Sequence, residues 1–79
     1  MDLGRNVALF LSQAGREAFQ AAGIPEESGV AFLYASEIDA SGVWVKNRKE
    51  DGEHIVLIRW ECILAVDVPV GGTPVESAV

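Results

Sequence analysis

Trp44, Lys46, Arg48 and Lys49 crowd into six positions, and Arg59 follows shortly after; together they are the basic and aromatic constellation of the chain. Residues of these types can hold a phosphate backbone with their cations while a base stacks on the indole. The same side chains can instead cover sheet surface with their methylene stems and keep the charge in water. Glu37, Glu50, Asp51 and Glu53 lie close enough to dilute the patch, which favours the covering role. The whole chain agrees: 12 Asp and Glu against 6 Lys and Arg leave a net charge of −6, which repels polyanions at long range.

Other candidate chemistry is sparse. His54 is the sole histidine and stands just after a turn signal, where a solvated strand-end role is the simplest account. Cys62 cannot form an internal disulfide, so the fold does not depend on an oxidising compartment; Glu61 beside it opposes thiolate formation, which suits an apolar filler. Glu26 and Glu27 sit in a polar connector without the hydrophobic pocket that raises a carboxyl pKa for acid–base work. No metal-site spacing and no glycine-rich phosphate loop is seen, so neither catalytic residues nor a cofactor is expected.

At 79 residues there is room for one small domain, which hides only ~60–65% of its unfolded surface. Yet 49% of the residues are hydrophobic. More apolar side chains are present than one such core easily encloses, and the usual outlet is self-association or a partner surface. No apolar run approaches the ~20 residues of a spanning helix. Arg5 and Asn6 interrupt the stretch that a secretory leader would need, so a cytoplasmic protein without membrane contact is expected.

The elements that must position these residues centre on the apolar stretch 54–68, too long for one strand and broken near Trp60-Glu61-Cys62. Upstream, Leu3, Val7, Phe10, Leu11, Ala14, Ala18 and Ala22 recur every three or four residues and predict a helix over 3–22. Asp2 would cap it and Gly23 would end it, with Pro25 forbidding continuation. Gly15 weakens it and allows a break near Ser12, and a strand over Val7–Leu11 is the competing reading.

Strands are predicted over 30–38, 43–49, 54–60 and 63–68, within a domain of residues 1–69 followed by a mobile tail over 70–79. Asp39-Ala-Ser-Gly42 has the form of a type I turn, and Asp51-Gly52 that of a two-residue type I′ turn. The second turn would set Glu50 opposite Glu53, Val45 opposite Ile58 and Val43 opposite Trp60, with Val43, Val45, Val56, Ile58 and Trp60 facing the core. Trp44, Lys46, Arg48, Ile55, Leu57 and Arg59 then share the other face, with Trp44 and Arg59 placed to stack. The faces of Phe32 and Tyr34 stay open, since a one-residue slip exchanges them.

Two motifs carry a resemblance. Ile38-Asp-Ala-Ser-Gly-Val-Trp-Val-Lys-Asn47 resembles the hydrophobic-Asp turn into the third strand of the Sm-like and SH3-like small barrels, and Leu57-Ile-Arg-Trp-Glu-Cys-Ile-Leu-Ala-Val66 resembles their last two strands. The similarity spans about residues 30 to 69, with the first strand missing or vestigial. A Tyr-Lys-His triplet serves uridine binding in the bacterial Sm-like RNA chaperones; here Arg59-Trp60-Glu61 stands in its place, so that role is not implied.

The expected fold is therefore α+β: an N-terminal helix on a curved four-stranded antiparallel sheet resembling a truncated Sm-like or SH3-like barrel. The expected function is a non-catalytic interaction or assembly module that forms homo-oligomers or joins a heteromeric protein partner. The alternative is a small nucleic-acid-associated regulator using Trp44, Lys46, Arg48 and Arg59. Titration with short single-stranded RNA and DNA across a salt series separates them: no salt-dependent binding is expected, and a clear salt slope would favour the regulator.

Overall fold

Val7, Leu9 and Leu11 are buried while Phe10 between them is exposed, and this two-residue alternation belongs to a strand. The computed structural model describes residues 1–70; the rest of the expected tail, 71–79, lies outside the described residues. The chain runs β1 (Asp2–Leu11), α1 (Gln13–Ala22), β2 (Val30–Asp39), β3 (Gly42–Lys49), β4 (Gly52–Arg59), a 3-10 turn (Trp60–Cys62) and β5 (Ile63–Asp67). The fold is α+β, with one helix and an open, antiparallel five-stranded sheet in the order β4-β3-β2-β1-β5. Among the described residues no helix is long and apolar enough to cross a membrane.

The expected helix over 3–22 is corrected to a strand followed by a ten-residue helix, and the sheet has five strands, not four. The added strand, β1, contains the Val7–Leu11 segment for which a strand is the competing reading. Apolar residues at 7, 9 and 11 satisfy a period of two as well as the helical stripe does; tertiary pairing decides, because β1 bonds to β2 on one side and β5 on the other. Asp2 is consequently a strand residue and not a helix cap.

Ser12 starts the helix instead. Its backbone is extended, its Oγ accepts the Gly15 N–H at 3.1 Å and donates to the Glu61 carbonyl at 2.8 Å, and its own N–H donates to the Cys62 carbonyl at 3.0 Å. Gly23 ends the helix in the left-handed conformation, as expected. The helix buries Gly15 and Phe19, whereas Ala14, Ala18 and Ala22 of the expected stripe are exposed. Gly15 is where the helix touches the 3-10 turn: a Cβ there would collide with the Cys62 carbonyl. The residue that looks weakest by propensity is required by packing.

The core gathers Val7, Leu9, Leu11, Phe19, Ile24, Ala31, Ala35, Val43, Val45 and Ile58. In β2 the face left open by the sequence is resolved, with Ala31 and Ala35 inside and Phe32 outside; an irregularity between Ala35 and Glu37 then shifts the alternation. In the β3–β4 hairpin the loop is Glu50-Asp51, so Lys49 pairs with Gly52, Val45 with Val56 and Val43 with Ile58. Positive φ falls on Gly52 alone, not on two turn centres, which excludes type I′ geometry. The register thus differs from expectation by two residues. An even shift preserves faces, so Val43, Val45 and Ile58 are in the core as expected. Trp60 is not: it lies in the 3-10 turn and is exposed.

Gly15→Ala is expected to lower stability by about 1–3 kcal/mol in urea unfolding, since the added methyl forces the helix off the 3-10 turn. Helix propensity alone predicts the opposite sign, a gain of up to ~1 kcal/mol, so an unchanged or higher midpoint would refute the contact.

Candidate functional site: an outer sheet face and a bare edge

Alternation along β3 sends Val43, Val45 and Asn47 inward and Trp44, Lys46 and Arg48 outward. The structure therefore brings these three onto one face, and alternation along β4 puts Arg59 on that face too, as expected; cross-strand pairing surrounds each. Lys46 pairs with Ile55 on β4 and Tyr34 on β2, and its Nζ lies 4.9 Å from the centre of the Tyr34 ring. Arg48 pairs with Glu53. Trp44 pairs with Leu57 and Glu37, so the expected Trp44–Arg59 facing pair is not formed; Arg59 pairs with Gly42, and its Nε is 3.8 Å from a Glu61 carboxylate oxygen. Each cation of the patch has an acidic or aromatic neighbour within the chain.

Asp39, at the end of β2, organises this end of the sheet. One carboxylate oxygen accepts the backbone N–H groups of Ser41 at 2.8 Å and Gly42 at 3.3 Å, tightening the β2–β3 turn. The other accepts the Trp44 indole N–H at 2.9 Å, and the Asp39 carbonyl accepts the Trp60 indole N–H at 3.0 Å. Both tryptophans of the chain are thus anchored on one residue. The Trp44 hydrogen bond, followed by that from Ser41, holds the Asp39 carboxyl below its ordinary pKa.

The remaining chemistry-bearing residues stand apart. His54 meets Asp51 at 2.7 Å across the exposed hairpin end and holds that carboxyl below its ordinary value. The Cys62 thiol is pushed up, first by burial and then by Glu61. Glu26 closes the connector, accepting the Gly29 N–H at 2.9 Å with Arg16 at 3.9 Å.

Two surface features accompany the patch. Phe32 is 78% exposed and Ile55 57% exposed on the outer face, with Phe10 and Tyr34 also open to solvent. Ala18, Phe19, Ala22, Ile24, Cys62 and residues 56–59 of β4, Arg59 included, line a mostly apolar groove of about 180 Å³ between the helix and the sheet edge. Sequence reasoning missed both Asp39 as an anchor and this groove. The Asp-x-x-Gly turn signals an acceptor near residue 39, but which donors reach it depends on register. No protein-family profile, curated protein or solved structure matches the chain.

For Asp39, a depressed folded-state pKa means that its contribution to stability is complete above the ordinary carboxyl value near ~4 and is lost as pH falls through the lower folded value. Asp39→Asn is expected to lower the thermal midpoint at pH 7 and to shrink the further loss in acid. Tryptophan fluorescence during acid and thermal titration reads both; an unchanged acid limb would refute the role of the carboxylate.

Proposed function

We propose that this chain is a non-catalytic interaction or assembly module that works by self-association. The observation that carries this reading is the uncovered apolar surface: Phe32, Ile55 and Leu64 are each more than half exposed, on an open sheet whose outermost strands, β4 and β5, each pair on one side. A monomer seldom leaves so many bulky apolar groups in water without a surface to cover them. A small-barrel relationship of the Sm-like or SH3-like kind fits the same reading. Its support is the order of five antiparallel strands with a 3-10 turn between the last two, although the helix lies between the first two strands and not before them.

The nucleic-acid alternative is less well supported. Lys46 is drawn over Tyr34, Arg48 faces Glu53, Arg59 approaches Glu61, and the Trp44 N–H is committed to Asp39. A cytoplasmic setting and a protein partner remain parts of the proposal.

Light scattering or sedimentation of the full chain at micromolar concentration is expected to give a mass above the 8.5 kDa of one chain. A stable monomer across that range would overturn the proposal.

A further inference from the structure

Building on the self-association reading, we propose that two copies of this chain join their β4 strands edge to edge, antiparallel, about a twofold axis through Val56. The two sheet edges are treated differently. β5 has five residues, its pairing with β1 is irregular at Phe10/Leu11, and Pro69 follows it, with the Pro69 carbonyl held by the Arg5 guanidinium at 2.6 Å. Short length, a bulge and a proline are the devices by which proteins blunt an edge. β4 has none of them: eight residues pair with β3 in unbroken register, and the strand contains no proline or lysine.

Backbone directions define which groups are available. Lys49 and Gly52 flank a two-residue loop and form a hydrogen-bonded pair, so Val56 and Ile58 also turn their peptide groups toward β3. Glu53, Ile55, Leu57 and Arg59 turn theirs away. Among the described residues these outward groups have no backbone partner.

An antiparallel copy can bond to those four residues only in registers whose paired numbers sum to an even value. The register centred on Val56 pairs Ile55 with Leu57 and Glu53 with Arg59, each twice by symmetry. Among the four outward residues it matches apolar to apolar and acid to base, with His54 opposite Ile58 on the inner side, and it uses β4 from Glu53 to Arg59. Centring on Ile55 or Leu57 instead sets a charged residue against an apolar one. The Val56 side chains meet on the inner side, where the apolar grooves of the two copies become continuous and Ala18 and Ala22 present only methyl groups. The partner is therefore a second copy, recognised by the complementarity of the strand with itself.

Two measurements on the full chain test this. In a Cys62→Ala background, Val56→Cys is expected to oxidise rapidly to a disulfide dimer, because a non-hydrogen-bonded pair at the axis puts its Cα atoms ~4.5 Å apart. Ile55→Cys and Leu57→Cys should crosslink poorly alone and well when mixed. Separately, Arg59→Glu and Glu53→Arg should each weaken self-association about tenfold or more by like-charge apposition. Mixing these two variants should restore it as a heterodimer, while circular dichroism confirms that each is folded. If the wild-type chain self-associates but Val56→Cys fails to crosslink, or Leu64→Cys beside β5 crosslinks instead, the β4 assignment is overturned and the self-association reading stands. A monomeric wild-type chain overturns both.

Discussion

Two backbones touch where Gly15 meets Cys62, and the rest of the architecture depends on that contact. The Cys62 carbonyl occupies the space that a side chain at residue 15 would need, and it also accepts the Ser12 N–H. The end of β1, the start of α1 and the turn into β5 are thereby fixed at one point. Ser12 adds a second tie, because its hydroxyl caps the helix and donates to Glu61. With the junction closed, Phe19 is delivered fully buried into the core, and β5 is aimed back along β1. The contiguous β1–α1 junction and the 3-10 turn some fifty residues later are tied together by polar contacts around one missing side chain.

At the β2–β3 turn Asp39 has a comparable role with different chemistry, and through the Trp60 indole it is tied to the other end of the same 3-10 turn. It is a turn residue whose carboxylate and carbonyl between them bind two turn N–H groups and both indoles. The inner core packs the small Ala31 and Ala35 with Val43, Val45 and the larger Leu9 and Phe19, all nearly completely enclosed. Phe32, Tyr34 and Ile55 fall on the opposite face by strand alternation and stand outside.

The sequence made much of this legible where local chemistry decides. Gly23 as a helix stop, the Asp39–Gly42 turn, the break at Trp60–Cys62 and the inward side of β3 all follow from residue type and a two-residue period. Residues 2–11 resisted because Leu3, Val7, Phe10 and Leu11 fit a helical stripe while Val7, Leu9 and Leu11 fit a strand; pairing with both β2 and β5 breaks the tie, and pairing is non-local. Gly15 misled for a similar reason, since propensity counts its flexibility and not the carbonyl beside it. The hairpin loop lies one residue earlier than its Asp51-Gly52 signal implies, which moves the cross-strand register by two, and the facing pattern survives because side chains alternate with that same period. For the candidate site, sequence spacing places Trp44, Lys46 and Arg48 together with Glu53 near enough to dilute them, but it does not reveal that Tyr34 lies under Lys46 or that Asp39 accepts the Trp44 indole.

An unpaired edge strand is a hazard in a monomer and a binding element in an oligomer, and the two cases differ in what surrounds it. Here the hazard is managed at β5 and left unmanaged at β4, within one sheet and one chain. If exposed edges were merely tolerated, both would be expected to look alike. The small core adds a thermodynamic reason: a domain of this size is marginally stable alone, and any partner that binds the folded form but not the unfolded one stabilises it in proportion to the logarithm of concentration. On the proposed self-association a second copy of the chain would be such a partner, and folding and assembly would then be linked.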